Sequence, residues 1–153
     1  MPHLRFEAVQ PDGDDALRAD WQHAHNLIIP TSPLSADEIR VRARRNHLTV
    51  TYRGDMLVGC STIRPPKDDR ATATVIVRVL PEHRRQGFGA QMYDRALTAA
   101  YEIGARVIET VVLASNEEGL RFAERHGFVE IDRYTLEGDT IPFIDLRLAD
   151  AAG

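Results

Sequence analysis

The sequence predicts an α+β (mixed α/β) protein of about seven strands and four helices, on three observations. Segments with apolar residues at every second position and segments with apolar residues every three to four positions alternate along the chain. Their order is strand, two helices, three strands, helix, strand, helix, two strands. Two of the strands meet through Arg53-Gly54-Asp55, a turn tight enough to make them antiparallel neighbours. The 153 residues contain no linker, low-complexity segment or repeat, so residues 1–153 read as one domain, large enough to bury a core without staples.

Leu4 to Val9 alternates loosely and is the first expected strand, closed by Pro11-Asp12-Gly13. Asp14 or Asp15 caps a helix to about Asn26, with Leu17, Trp21, Ala24 and Ile28 turned inward, and Pro30 and Pro33 end it. Ser35-Ala36-Asp37-Glu38 has the spacing of a capping box and opens a second helix, where Ile39, Val41 and Ala43 stand among Arg40, Arg42, Arg44 and Arg45. That basic cluster is either a solvated face or a surface for an acidic acceptor or for phosphates. His47 to Tyr52 and Met56 to Ile63 form the hairpin, Pro65 to Asp69 a polar connection, and Ala71 to Leu80 the next strand. A helix follows with Met92, Tyr93, Ala96, Leu97, Ala100 and Ile103 on one face, stopping at Gly104. Val107 to Leu113 is a strand interrupted by one carboxylate, Glu109. Ser115 to Glu118 reads as a second capping box, opening a short helix through Arg125. Gly127-Phe128 then turns the chain into Val129 to Thr135, Glu137-Gly138-Asp139 is a turn, and Phe143 to Leu148 is the last strand.

The function-bearing stretch is Val75 to Met92. An alternating run (Val75, Val77, Val79) ends at Pro81, a polar and basic loop follows, and Gly87-Phe88-Gly89-Ala90 leads into the helix. Two glycines remove side-chain bulk, so successive backbone N–H groups from Arg84 to Ala90, including those of Arg85 and Gln86, can converge on one ligand at the positive end of a helix. The fitting guest is a phosphate or pyrophosphate. A P-loop requires Lys-Ser/Thr after its last glycine and a dinucleotide fingerprint requires a third glycine where Met92 stands, so both motifs fail.

Composition narrows the setting. Cys60 is the only cysteine and excludes an internal disulfide; its strand-like neighbours make it a packing residue rather than a reactive thiol. No apolar leader or membrane-spanning run is present, which points to a cytoplasmic chain with no membrane partner. A net charge of −4 and a pI near 5.8 argue against nucleic acid as partner. His23 and His25 are two apart on a helix and do not share a face, so no metal site is expected.

The Arg-x-x-Gly-x-Gly spacing of Arg84, Gly87 and Gly89, directly after Val77-x-Val79-x-Pro81, resembles the acyl-CoA-binding signature of the GNAT superfamily of N-acetyltransferases. A second stretch, Asn116, Phe122, Glu124 and Gly127-Phe128, is spaced as in that superfamily's later motif, with Gly119 where alanine is usual. The resemblance implies a central, mostly antiparallel sheet and a single GNAT-like domain. It implies acetyl-CoA, or another acyl-CoA, as co-substrate and no metal. The reaction would be direct attack of a neutral primary amine, on a small molecule or peptide, upon the thioester carbonyl. The strand end at Arg78, Val79 and Leu80 would pair with the pantetheine amides, a backbone N–H near Val79 would polarise the carbonyl, and Asn116 would lie near the pantetheine arm.

The chain departs from the family pattern at Ala123, where many members carry the tyrosine assigned as the acid for the departing thiolate. A simple thiol has a pKa of about 8.5, so a thiolate is a tolerable leaving group. Tyr134, Tyr93 and Tyr101 are the substitutes, with Tyr134 favoured because it lies outside the buried face of the central helix. Glu109 is the candidate base, since a carboxylate amid Val107, Ile108, Val111 and Val112 has a raised pKa if it is buried. An ion pair or an outward-facing position is the competing account.

Three functions follow from these readings: an N-acetyltransferase, a catalytically silent acyl-CoA-binding sensor, and an interaction domain with a vestigial loop. The acceptor is not encoded legibly in Ile29 to Ser35 or in the flanking helices, where Trp21, His25 and the arginines fit packing and solvation as well as contact. Oligomeric state stays open, dimers being frequent among similar proteins.

Overall fold

The protein was analysed as a computed structural model, which describes residues 3–149. In chain order the elements are β1 (Arg5–Val9), α1 (Asp15–Ile28), α2 (Ala36–Arg45), β2 (His47–Arg53), β3 (Met56–Lys67), β4 (Thr72–Val79), α3 (Phe88–Glu102), β5 (Val107–Leu113), α4 (Glu117–Arg125), β6 (Phe128–Tyr134) and β7 (Phe143–Leu148). The strands form one seven-stranded sheet in the order β1-β2-β3-β4-β5-β7-β6, antiparallel everywhere except between β4 and β5.

Local chemistry accounts for the boundaries. The Asp14 carboxylate accepts from the Ala16 N–H at 2.8 Å and starts α1, and Ser35 with Glu38 forms the reciprocal box that starts α2. The box expected from Ser115 does not form. Asn116 is the cap instead, its Oδ1 accepting from the Gly119 N–H at 2.9 Å, while Glu118 turns to Arg85. Gly119 suits this cap, because a Cβ there would lie 2.5 Å from Asn116 Nδ2.

β3 also runs further than expected, through Pro65 and Pro66 to Lys67. The register of its ladder with β4 shifts between Arg64 and Lys67, so the two residues without an N–H sit where pairing is interrupted. Ile103, expected inward, is 41% exposed, because α3 ends one residue earlier and Gly104 follows in the left-handed region.

The sheet carries a core on each face. On one face Tyr93, Ala96 and Ala100 of α3 and Ala123 of α4 pack against Val75, Ile108, Ile144 and Leu146. On the other, Trp21 and Ala24 of α1 and Ile39 of α2 pack against Leu48, Val50 and Cys60. Trp21 is fully buried and its Nε1 donates to the Ser61 carbonyl at 3.2 Å, which ties α1 to the middle of β3.

The one parallel pairing is short. β4 and β5 are joined only at Thr72/Val107, Ala73/Ile108 and Thr74/Glu109, after which they separate. Leu80 N–H donates to the Val58 carbonyl, so by strand alternation the N–H and C=O of Val79 point away from β3 and into the gap. Ala114 N–H donates to the Pro142 carbonyl on the β7 side, and by the same rule the backbone groups of Val111 point into the gap from β5. The sheet therefore opens into a slot with polar backbone on both edges.

Candidate functional site

The slot is part of a cavity of about 1020 Å³ that reaches both faces of the sheet. On the α1/α2 side Ile28, Ile29, Ile76 and Arg78 line it; on the α3/α4 side Val79, Gly89, Tyr93, Asn116 and Phe122 do. After β4 a single 3-10 turn, Pro81–His83, swings the chain toward α3. Arg85 and Gly87 both adopt positive φ (64° and 82°), and Gly87 caps α3 without any side-chain acceptor. The first-turn N–H groups of α3 thus have no capping oxygen from the chain, and they open toward the cavity beside two arginines. A Cβ on Gly89 would lie 3.3 Å from Phe122 Cε2 and 3.6 Å from Val79 Cγ2, so the wall of the slot is close here.

One carboxylate serves both arginines at this end. Glu118 lies 3.2 Å from Arg85 and 3.9 Å from Arg84, and Arg84 Nε donates to the Val79 carbonyl at 2.9 Å. That last bond leaves the Val79 N–H as the free polar group of its residue on the β4 edge.

Of the residues singled out from sequence, Arg78, Val79, Arg84, Arg85, Gly87, Gly89, Ala90 and Asn116 line the cavity. Leu80, Gln86 and Phe88 do not. Leu80 is buried in the α1/α2 core with its N–H and C=O both engaged, to Val58 and His83. Phe88 is buried against Val58 and Met92, and Gln86 is exposed.

Glu109 and Tyr134 are brought together, in a second, polar cavity of about 470 Å³ that also contains Arg64, Asp145 and Arg147. Glu109 is not a lone carboxylate among apolar side chains. Strand alternation turns it away from the core that its neighbour Ile108 enters, and Arg147 Nε and Nη2 donate to its Oε2 at 3.0 and 2.7 Å. Tyr134 O–H donates to Asp145 Oδ1 at 3.1 Å. Burial raises the pKa of Asp145 above the ordinary carboxylate value, helped by Asp132 and Glu109 and opposed by the Tyr134 hydrogen bond. Burial, then the neighbouring Asp145, raises Tyr134 as well. Thr110 and Val111 line both cavities, so the two adjoin across β5.

Ala123 is buried in the slot wall, and Tyr93 lines the same cavity. Burial raises the pKa of the Tyr93 hydroxyl, which has no hydrogen-bond partner among the described residues. Tyr101 is 49% exposed on the far part of α3. Cys60 is fully buried and its thiol is pushed up to about 12, an inert packing residue.

His25 is buried under Trp21 with ring centroids 5.3 Å apart, and its pKa is lowered to about 4, chiefly by burial, with Arg78 and Arg42 adding and Asn26 opposing. Asn26 Oδ1 accepts from the Leu34 N–H and faces His25 Nδ1 at 3.0 Å, which places the imidazole proton on Nδ1.

Asp145, Arg147 and Arg64 are the site residues that sequence reasoning missed. The signal was there in part: Phe143-Ile144-Asp145-Leu146-Arg147 alternates, and Ile144 and Leu146 enter the core while Asp145 and Arg147 face the other way. Among the described residues no group of three His, Cys, Asp or Glu side chains is placed to hold a metal ion, and no helix is long and apolar enough to cross a membrane.

The family model described as acetyltransferase (GNAT) family matches residues 7–128. No curated protein matches the sequence. Among solved structures, a Desulfovibrio desulfuricans protein assigned to the GNAT family of acetyltransferases superposes with a TM-score of 0.76 at 15% identity, over 95% of this chain and 98% of that one. An IAA acetyltransferase from Bacillus cereus gives 0.72 at 15% identity, over 95% and 99%. A GNAT family acetyltransferase from Elizabethkingia anophelis with acetyl-CoA bound gives 0.71 at 16% identity, over 95% and 97%. At these identities the likeness is one of fold.

Proposed function

The chain belongs to the acetyltransferase (GNAT) family, and from that premise we propose that it is an N-acetyltransferase that moves the acetyl group of acetyl-CoA to a primary amine of a small molecule or peptide. The observation that carries this reading is the slot: β4 and β5 part after Thr74/Glu109, leaving strand-edge backbone at Val79 and Val111 facing a cavity that ends at an uncapped helix start.

The pantetheine arm is an extended chain with two amides, and it fits an open strand edge as an added strand does. The Arg84–Ala90 loop and the first turn of α3 hold the pyrophosphate, with Arg84 and Arg85 exchanging Glu118 for phosphate. The free N–H of Val79 donates to the carbonyl oxygen as negative charge develops there, a donor worth about 3 kcal/mol in the transition state. The thioester supplies an activated acyl carbon: the C–N bond forms, the C–S bond breaks, the amine loses one proton and the sulfur gains one.

An amine arrives mostly protonated. Its proton leaves through the polar cavity beyond Val111, where Glu109, Asp145 and Tyr134 form the accepting group. The raised pKa of Asp145 brings it nearer the working pH of a base, and Tyr134 already shares its proton with that carboxylate. On the sulfur side Tyr93, not Tyr134, is the tyrosine in the slot wall, next to Ala123. One observation favours a second reading, an acyl-CoA-binding domain without turnover: the wall position where the family places its acid is a buried methyl group.

Calorimetric titration with acetyl-CoA, beside a thiol-release assay over a panel of amines, separates the readings. Saturable binding that weakens about a hundredfold in Gly89→Glu, with thiol release on at least one amine, is the expected result; a crowded slot wall and a negative charge at a helix N-terminus both oppose the ligand. Binding with no release on any amine supports the silent domain, and no binding to folded protein refutes both.

A further inference from the structure

Three arginines converge on the α1/α2 side of the sheet from different elements: Arg42 on α2, Arg64 on β3 and Arg78 on β4. Arg78 stands opposite Cys60 and Arg64 opposite Thr74, on the face that α1 and α2 cover in part. They are close enough to repel one another. Arg42 and Arg78 both have lowered pKa values, first from burial, with Arg64 adding in each case and Arg42 adding for Arg78. Among the described residues none of the three has a carboxylate within ion-pair distance, in contrast to Arg84, Arg85 and Arg147. Of the nearby carboxylates, Glu109 is engaged by Arg147, Asp145 by the Tyr134 hydroxyl, and Glu38, which attracts Arg42 from one turn away on α2, accepts from the Ser35 N–H.

Two of the three connect the two cavities, while Arg42 lines neither. Arg78 lines the slot, Arg64 lines the polar cavity, and those cavities meet at Thr110 and Val111. Burial weighs on Arg42 and Arg78, and the three guanidinium groups repel one another; an arriving anion offsets that cost. The phosphates of acyl-CoA are not that anion, because their loop opens at the other end of the slot, beside α3 and α4.

Resting on the acyltransferase reading above, we infer that the acceptor amine also carries an anionic group, a carboxylate or a phosphate, held by Arg42, Arg64 and Arg78 while the amine faces Val111 and the Asp145 cavity. Guanidinium groups pair both anions through parallel N–H bonds. The same charges oppose a polyamine, which would bring further cations to the cluster.

The test is steady-state thiol release with a set of L-α-amino acids, their C-terminal amides, O-phosphoethanolamine and spermidine. The amide keeps the amine and removes only the anion; the phosphate compound separates the two anion sources. The expected result is a kcat/KM about tenfold or more higher for an acid than for its amide, as for sites built around a polar partner. In Arg64→Met and Arg42→Met that ratio falls toward one, mainly through KM, while the Kd for acetyl-CoA is unchanged. Amides or spermidine used as well as the acids would overturn the inference and leave the acyltransferase standing. Failure of acetyl-CoA to bind in calorimetry is a separate result, which sinks the reading underneath. Where no amine is turned over, thermal shifts of the CoA-saturated protein decide: stabilisation by an amino acid or O-phosphoethanolamine that is absent with the amides and lost in Arg64→Met sustains the inference, and its absence refutes it.

Discussion

At the α3 end of the slot the charges are paired and the recognition groups belong to the backbone; at the α1/α2 mouth the charges are unpaired and the groups are side chains. The first end consists of the Arg84–Ala90 loop, two positive-φ residues and a helix start, with Glu118 shared between Arg84 and Arg85. The second consists of Arg42, Arg64 and Arg78 around a neutral, buried His25. A backbone cradle serves one invariant ligand part and needs little beyond glycine and a helix. A side-chain cluster, on the inference above, is tuned to one acceptor, whose anion offsets the repulsion among the arginines.

The difference predicts that acid harms the mouth first. His25 has a folded-state pKa of about 4 against 6.5 unfolded. Between those values the unfolded chain binds more protons, so the contribution of His25 to stability is full above pH 6.5 and is lost as pH falls toward 4. The loss is of the order of 2 kcal/mol after allowance for water reaching the ring. Denaturant unfolding at both ends of that window reads it: the wild type should lose more stability than His25→Gln. Equal losses would mean that burial, with Arg78 and Arg42, does not hold the imidazole neutral.

A smaller effect comes from the slot wall between the two ends. Tyr93 carries a buried hydroxyl without a partner, so Tyr93→Phe should raise stability by about 1 kcal/mol in thermal denaturation. Tyr134→Phe, which removes the hydrogen bond to Asp145, should lower it. A Tyr93→Phe protein no more stable than wild type would place a water or another acceptor on that oxygen.

The smallest change is expected at the paired end. Glu118→Gln frees Arg84 and Arg85 from a largely exposed carboxylate pair, and acetyl-CoA should bind about two- to fivefold more tightly, a gain that shrinks with added salt. Weaker binding in calorimetry would show that Glu118 positions the arginines rather than competing for them.

Much of the fold was legible. The two helical faces, the Ser35 box, the hairpin and the strand leading to Gly87 and Gly89 are carried by local periodicity, capping residues and turn glycines, all of which act within a few residues. The misreadings are local too, and several have a tertiary cause. Pro65 and Pro66 stay in β3 because the ladder shifts where they lie. Ser115 loses its box because Asn116 takes the cap, and Glu118 lies against Arg85, a residue far away in sequence. Glu109, read as a lone buried base, acquired Arg147 only when β7 came between β5 and β6.

The family was determined by the sequence itself, and so was the glycine loop proposed above to hold the pyrophosphate, because a glycine's missing side chain and a helix's dipole need no partner from elsewhere in the chain. The proposed acceptor mouth was decided by tertiary structure. Arg42, Arg64 and Arg78 look in sequence like scattered surface charges; only the pairing of β3 with β4 and the docking of α2 bring them together, and only the parting of β4 from β5 gives them a slot to face. Charge acts through space rather than along the chain, so its meaning at this site appears once the sheet has formed.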